Sequence, residues 1–99
     1  MKNITTKEFD QAVKSNTNVV IQFSAAWCGP CKTMTPILDE FATSREDVTA
    51  FKVDIGEETD LATKFNVRSI PTLIFFQNGE MTKQKVGLIQ ANHLNDFIV

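Results

Sequence analysis

Cys28 and Cys31 are the only cysteines in this 99-residue chain, and they stand three residues apart in Trp27-Cys28-Gly29-Pro30-Cys31. A strand-like apolar run, Val19-Val20-Ile21-Gln22-Phe23, comes just before them. A strand that ends and opens a helix at Cys28 puts its sulfur beside unpaired backbone N–H groups and the positive end of the helix dipole, which lowers a thiol pKa. Cys28 is therefore expected to react as a thiolate near neutral pH. Cys31 falls on the same side of that helix, within reach, and can resolve a mixed disulfide by closing an intramolecular one. The pair reads as a two-electron redox switch. Two plainer readings compete with it: a buried cysteine that only packs, and half of a zinc site. The strand-to-helix position, where ligand sites of open α/β sheets gather, argues against the first. Two Cys and one His cannot furnish the four ligands of the second, so no metal is expected.

The elements that must position this pair can be read from periodicity. Thr5 and Glu8 have the spacing of a capping box, and Phe9, Ala12 and Val13 recur at helical spacing, predicting a helix to about Lys14. Residues 19–23 predict a central strand buried on both faces, interrupted only by Gln22. From Cys28 a long helix carries Met34, Ile37, Leu38 and Phe41 inward, with Pro36 removing one backbone donor and kinking it. Arg45-Glu46-Asp47 ends it in a polar loop. Residues 48–54 predict a strand, and Thr59 or Asp60 is expected to cap a short helix bearing Leu61, Ala62 and Phe65. After Pro71, residues 72–77 and 81–86 flank Asn78-Gly79, a strong hairpin signal, and a helix over 91–98 closes the chain. The order βαβαβαββα implies an α/β fold with a mixed central sheet flanked by helices, in one domain over 1–99.

With Ser69-Ile70-Pro71-Thr72 downstream, Trp27-Cys28-Gly29-Pro30-Cys31 resembles the active-site motif of the thioredoxin family. Phe23-Ser24-Ala25-Ala26, Pro36-Ile37-Leu38-Asp39-Glu40, Lys52-Val53-Asp54 and Lys85-Val86-Gly87 extend the resemblance over nearly the whole chain. It implies the thioredoxin fold, with Cys28 as nucleophile and Cys31 as resolving thiol. It also implies that Gly29-Pro30 tunes the redox poise toward a reductant. Sequence alone would leave the bond before Pro71 trans, since only about 5% of X-Pro bonds are cis. The resemblance implies a cis bond opposite the cysteines, with the backbone of Ile70 presented to an extended substrate peptide. Trp27, a large aromatic directly before the nucleophile, fits a recognition surface better than plain core. Gly87 could be a mere bulge; the resemblance makes it the place where substrate approaches the surface beside the dithiol. The lone His93 is expected to face solvent.

Gln22 departs from the family pattern. The family usually carries a buried Asp six residues before the first cysteine, which is thought to accept the proton of the second. Gln cannot take a proton, so Cys31 is expected to lose its own through water or to the departing substrate thiolate. Lys52, at the position of the lysine that pairs with that Asp, lacks the counter-charge. Ser24 replaces a second Trp found in many relatives, leaving Trp27 as the sole indole.

Charge and composition narrow the function further. A net charge of −2 with dispersed Lys and Arg gives no basic face for nucleic acid or anionic lipid. The N-terminal residues lack an apolar core and the longest apolar runs are of strand length, so a cytoplasmic protein is expected. A reducing compartment favours a catalytic over a structural pair. Four dispersed glycines form no Gly-x-Gly-x-x-Gly, so the chain is expected to hold no cofactor. The resemblance then implies a reductase of disulfides in protein substrates, itself restored by an NADPH-dependent thioredoxin reductase, and a monomer is the default expectation. A thioredoxin-fold binding or regulatory subunit is the alternative from another class. A disulfide oxidase or isomerase is disfavoured by Gly29-Pro30 and by the absent export signal.

Overall fold

The computed structural model describes residues 1–98; Val99, the last residue of the expected domain, lies outside them. Among the described residues nine elements follow in the order β1 (Lys2–Asn3), α1 (Thr6–Lys14), β2 (Asn18–Ser24), α2 (Gly29–Ser44), β3 (Thr49–Asp54), α3 (Thr59–Lys64), β4 (Thr72–Gln77), β5 (Glu80–Val86) and α4 (Ala91–Phe97). The strands form one sheet ordered β1-β3-β2-β4-β5. β3 runs parallel to both β1 and β2, whereas β4 is antiparallel to β2 and β5 to β4. The sheet is mixed, as the element order requires.

β2 lies at the centre, and its side chains alternate between two cores because successive residues of a strand point to opposite faces. Val19, Ile21 and Phe23 join Phe9 and Val13 of α1, Leu61 of α3, and Ile74 and Phe76 of β4. Val20 joins Met34, Leu38 and Phe41 of α2, Leu73 and Phe75 of β4, and Leu94 of α4. Gln22 shares the parity of Val20, so its amide is aimed at the α2 side of the sheet. Phe9, Phe65 and Phe76 stack edge-on or tilted, with ring centroids 5.2–5.6 Å apart.

Local chemistry sets the ends of these elements. Thr5 and Glu8 close the capping box of α1: the Glu8 N–H donates to the Thr5 hydroxyl and the Thr5 N–H to the Glu8 carboxylate. Asn78 and Gly79 both take positive φ, 54° and 85°, the conformation a two-residue hairpin turn demands. α2 continues through Pro36 to Ser44. The start of α3 differs from expectation. Glu58, not Thr59 or Asp60, occupies the N-cap, and it makes no side-chain cap bond there. Its carboxylate instead accepts from the Thr6 N–H at 2.9 Å and the Thr6 hydroxyl at 3.0 Å. The open donors at the start of α1 outcompete those of its own helix. Among the described residues, no helix is long and apolar enough to cross a membrane.

Candidate active site

β2 ends at Ser24. A turn closed by the Cys28 N–H on the Ala25 carbonyl at 3.1 Å leads into α2. Cys28 is the N-cap of that helix, in extended backbone with φ −91° and ψ 111°. Its sulfur takes the place that an oxygen of Ser, Thr, Asn or Asp commonly fills: the Cys31 N–H donates to the Cys28 Sγ at 3.1 Å. Gly29 and Pro30 complete the first turn, where the missing N–H of proline leaves no bond unmade. The two sulfurs are joined as a disulfide, with the Cα atoms 5.3 Å apart. An N–H donor and the helix dipole both favour negative charge on the Cys28 sulfur once the bond is reduced.

The cysteines are shielded, 7% and 2% exposed, in a small apolar cluster with Ala25, and Ile55 and Ile70 pack against it. Ile70 reaches the pair although it lies about forty residues away in sequence. The Ile70–Pro71 peptide bond is cis. The Pro71 carbonyl accepts the Gly87 N–H at 2.8 Å, which ties Gly87, at φ +100°, to the same strand end. A Cβ built on Gly87 would meet nothing within 4 Å, so its missing side chain relieves no crowding in the free protein. Trp27 is 71% exposed. Its ring lies over Gly56, where an added Cβ would come within 3.4 Å of the Trp27 Cζ3. His93 is exposed on α4, among Lys83, Lys85, Leu88 and Phe97 rather than beside the cysteines.

Behind Cys31 the site is built differently. Gln22 is fully buried, and its Nε2 donates to the Cys31 carbonyl at 3.2 Å and to the Thr35 hydroxyl oxygen at 3.1 Å. The Thr35 hydroxyl donates back along its own helix to the Cys31 carbonyl at 2.9 Å. Lys52 is the register partner of Gln22 on β3 and is half-buried. It lines a cleft of about 220 Å3 together with Cys31, Thr35, Lys32 and Asp54. The Asp54 carboxylate is taken up by the N–H groups of Gly56 and Glu57, at 2.7 and 3.2 Å. Among the described residues no three His, Cys, Asp or Glu side chains are grouped to hold a metal ion.

Sequence reasoning singled out neither Thr35 nor Gly56. For Thr35 a signal existed, because a threonine four residues after Cys31 on a helix can bond back to that carbonyl. Gly56 carried none, since its neighbours are set by where Trp27 folds over the β3–α3 loop.

The family model described as Thioredoxin matches residues 1–99. The chain is 43% identical over 99 residues to the thioredoxin of Mycoplasmoides gallisepticum, covering 99% of each. It is 42% identical over 98 residues to that of Rickettsia bellii, covering 97% of this chain and 93% of the relative. Among solved structures, a single-residue variant of thioredoxin from Halobacterium salinarum superposes with a TM-score of 0.92 at 34% identity, over 99% of this chain and 86% of that one. Mitochondrial thioredoxin 3 from Saccharomyces cerevisiae, in its oxidized form, gives 0.90 at 32% identity, over 99% and 92%. A likeness that runs end to end in sequence and backbone, around a cysteine pair joined at the head of α2, places this chain in the thioredoxin family of thiol–disulfide oxidoreductases.

Proposed function

We propose that the chain reduces disulfides in other proteins by two successive exchanges, with Cys28 as nucleophile and Cys31 as resolving thiol. The Cys28 thiolate attacks one sulfur of the substrate disulfide, forming a mixed disulfide and releasing the other substrate sulfur as a thiolate. That thiolate takes the proton of Cys31. The Cys31 thiolate then attacks the Cys28 sulfur, closing the Cys28–Cys31 bond and releasing the second substrate sulfur. Two electrons pass to the substrate, and the protein leaves oxidised. The placement of Cys28 at the helix N-cap, with the Cys31 N–H on its sulfur, carries this assignment. Gly29 and Pro30 form the turn that sets the redox poise.

The substrate is proposed to lie along Ile70 and cis-Pro71, beside Trp27 and Gly87. Ile70 packing on the cysteines and the Gly87–Pro71 bond support that path, because they bring one strand end to the mouth of the dithiol. The reaction needs a supply of electrons. Thioredoxins are reduced by thioredoxin reductase, and an NADPH-dependent enzyme of that kind is proposed to serve this chain, which would act as a single-domain, monomeric electron carrier in the cytoplasm. The Cys31→Ser variant tests the assignment. It should accumulate a stable mixed disulfide with a disulfide-bonded peptide, visible by mass, whereas Cys28→Ser should form none. A mixed disulfide through Cys31 in the Cys28→Ser variant would reverse the roles.

A further inference from the structure

We propose that Thr35 is a positioning residue for the resolving step: its hydroxyl clamps the Gln22 amide and the Cys31 carbonyl together, holding the turn that carries Cys31 against the centre of the sheet. The inference rests on the reductase reading given above and adds to it a residue that never touches the substrate.

The hydrogen bonds can be assigned atom by atom. A peptide carbonyl can only accept, so the Gln22 atom 3.2 Å from the Cys31 oxygen must be the amide nitrogen. Its two hydrogens are then fully used, one on the Cys31 carbonyl and one on the Thr35 oxygen at 3.1 Å. Thr35 has one hydroxyl hydrogen and two acceptors in range: the Cys31 carbonyl at 2.9 Å and the Gln22 Oε1 at 3.4 Å. The shorter contact takes it. Three donors and acceptors thus close a ring between β2 and the first turns of α2, and every member is uncharged. Cys31 is fixed at both backbone ends, by its N–H on the Cys28 sulfur and by its carbonyl in this ring.

That fixation bears on one step of the exchange and not the other. Closing the Cys28–Cys31 bond is intramolecular, and its rate depends on how well the attacking sulfur is preplaced. Attack on an incoming disulfide is made by the Cys28 sulfur, which is bonded to the Cys31 N–H and to no group of the ring. Replacing Thr35 by Val keeps the shape and removes the hydroxyl. The Gln22 amide, wholly buried, then holds a hydrogen without a partner and turns to find one, releasing the Cys31 turn.

The test uses reduced full-length protein and a disulfide-bonded peptide, with acid-quenched samples weighed by mass spectrometry to time mixed-disulfide formation and resolution separately. Thr35→Val should slow resolution about tenfold and leave formation within about twofold. Thr35→Ser, which keeps the hydroxyl, should restore resolution. Thr35→Ala, a strong helix former, repeats the loss should valine disturb α2. The Cys28/Cys31 midpoint, set against dithiothreitol mixtures and read by Trp27 emission, should rise by about 30 mV, the equivalent of a tenfold weaker ring closure. Equal slowing of both steps, resolution at the native rate, or no rescue by Ser would overturn the proposal. Should the native chain leave the peptide intact while the midpoint still shifts, the reductase reading falls and the role of Thr35 stands; an unshifted midpoint overturns the role of Thr35 in either case.

Discussion

Converting Gln22 to Glu puts an ionisable group of nearly the same shape into a fully buried position of the central strand. Gln22 is fully buried between Lys52 of β3 and Leu73 of β4, and its amide points at Cys31 and Thr35. A neutral carboxyl in Gln22→Glu could still donate one hydrogen bond to the Cys31 carbonyl. The ionised form could not, and would set oxygen against oxygen. Both effects raise the folded-state pKa, and the half-buried Lys52 beside it draws part of that rise back. A net rise of about 3 units would take the group from about 4.3 in the unfolded chain to about 7.3 in the fold. The folded value then exceeds the unfolded one, so the native state holds the proton longer. Stability relative to the parent is unaffected by this group below about pH 4, declines as pH rises, and reaches its full loss above the folded pKa. At about 1.4 kcal/mol per unit, the loss by pH 8 is about 4 kcal/mol, a large part of the 5–15 kcal/mol typical of a domain. Urea unfolding of parent and variant from pH 4 to 9 measures the difference directly. A gap between the two curves that stays constant from pH 5 to 8 would refute the reasoning, since it would mean that the carboxyl is already ionised at pH 5 in the folded state, as it is in the unfolded chain. The activity profile of the same variant should gain one titration absent from the parent.

Gly56→Ala places a methyl 3.1 Å from the Asp54 Oδ1 and 3.4 Å from the Trp27 ring; it should shift Trp27 emission and cost about 1 kcal/mol in urea melts, with the far-UV spectrum unchanged. Removing the long-range cap with Glu58→Ala should destabilise the fold by about 1 kcal/mol, and Glu58→Gln, which keeps one acceptor oxygen, should recover most of it. The Arg45 guanidinium, bonded to both Asp47 oxygens at 2.9 and 2.8 Å, holds that carboxyl below its ordinary range, and the Thr5 backbone N–H, aided by Lys2, does the same for Glu8. Depressed carboxyls contribute stability that is present above the unfolded pKa and lost as pH falls through the folded value, so Asp47→Asn and Glu8→Gln should each flatten the acid limb of the stability curve, most visibly at low salt.

The amino-acid sequence determined by itself what short-range physics can specify. Apolar residues at periods of two and 3.6 define β2, α2 and the rest, because each period keeps one face of its element turned to a core. Thr5 and Glu8 mark the start of α1, and Asn78-Gly79 the hairpin, because their backbone preferences act within four residues. Cys28 at a strand-to-helix junction already fixed the position of the reactive pair. What only the tertiary structure decided is which distant groups meet. Glu58 left its own helix for Thr6, across 52 residues of chain, since a carboxylate bonds whichever open donors folding brings nearest. Gln22 found Thr35 because sheet register and strand parity aimed its amide at the second turn of α2. Periodicity marks Gln22 only as a polar residue inside an apolar run. Its partners, and with them the character of the site behind Cys31, follow from the competition of buried donors for acceptors once the core has closed.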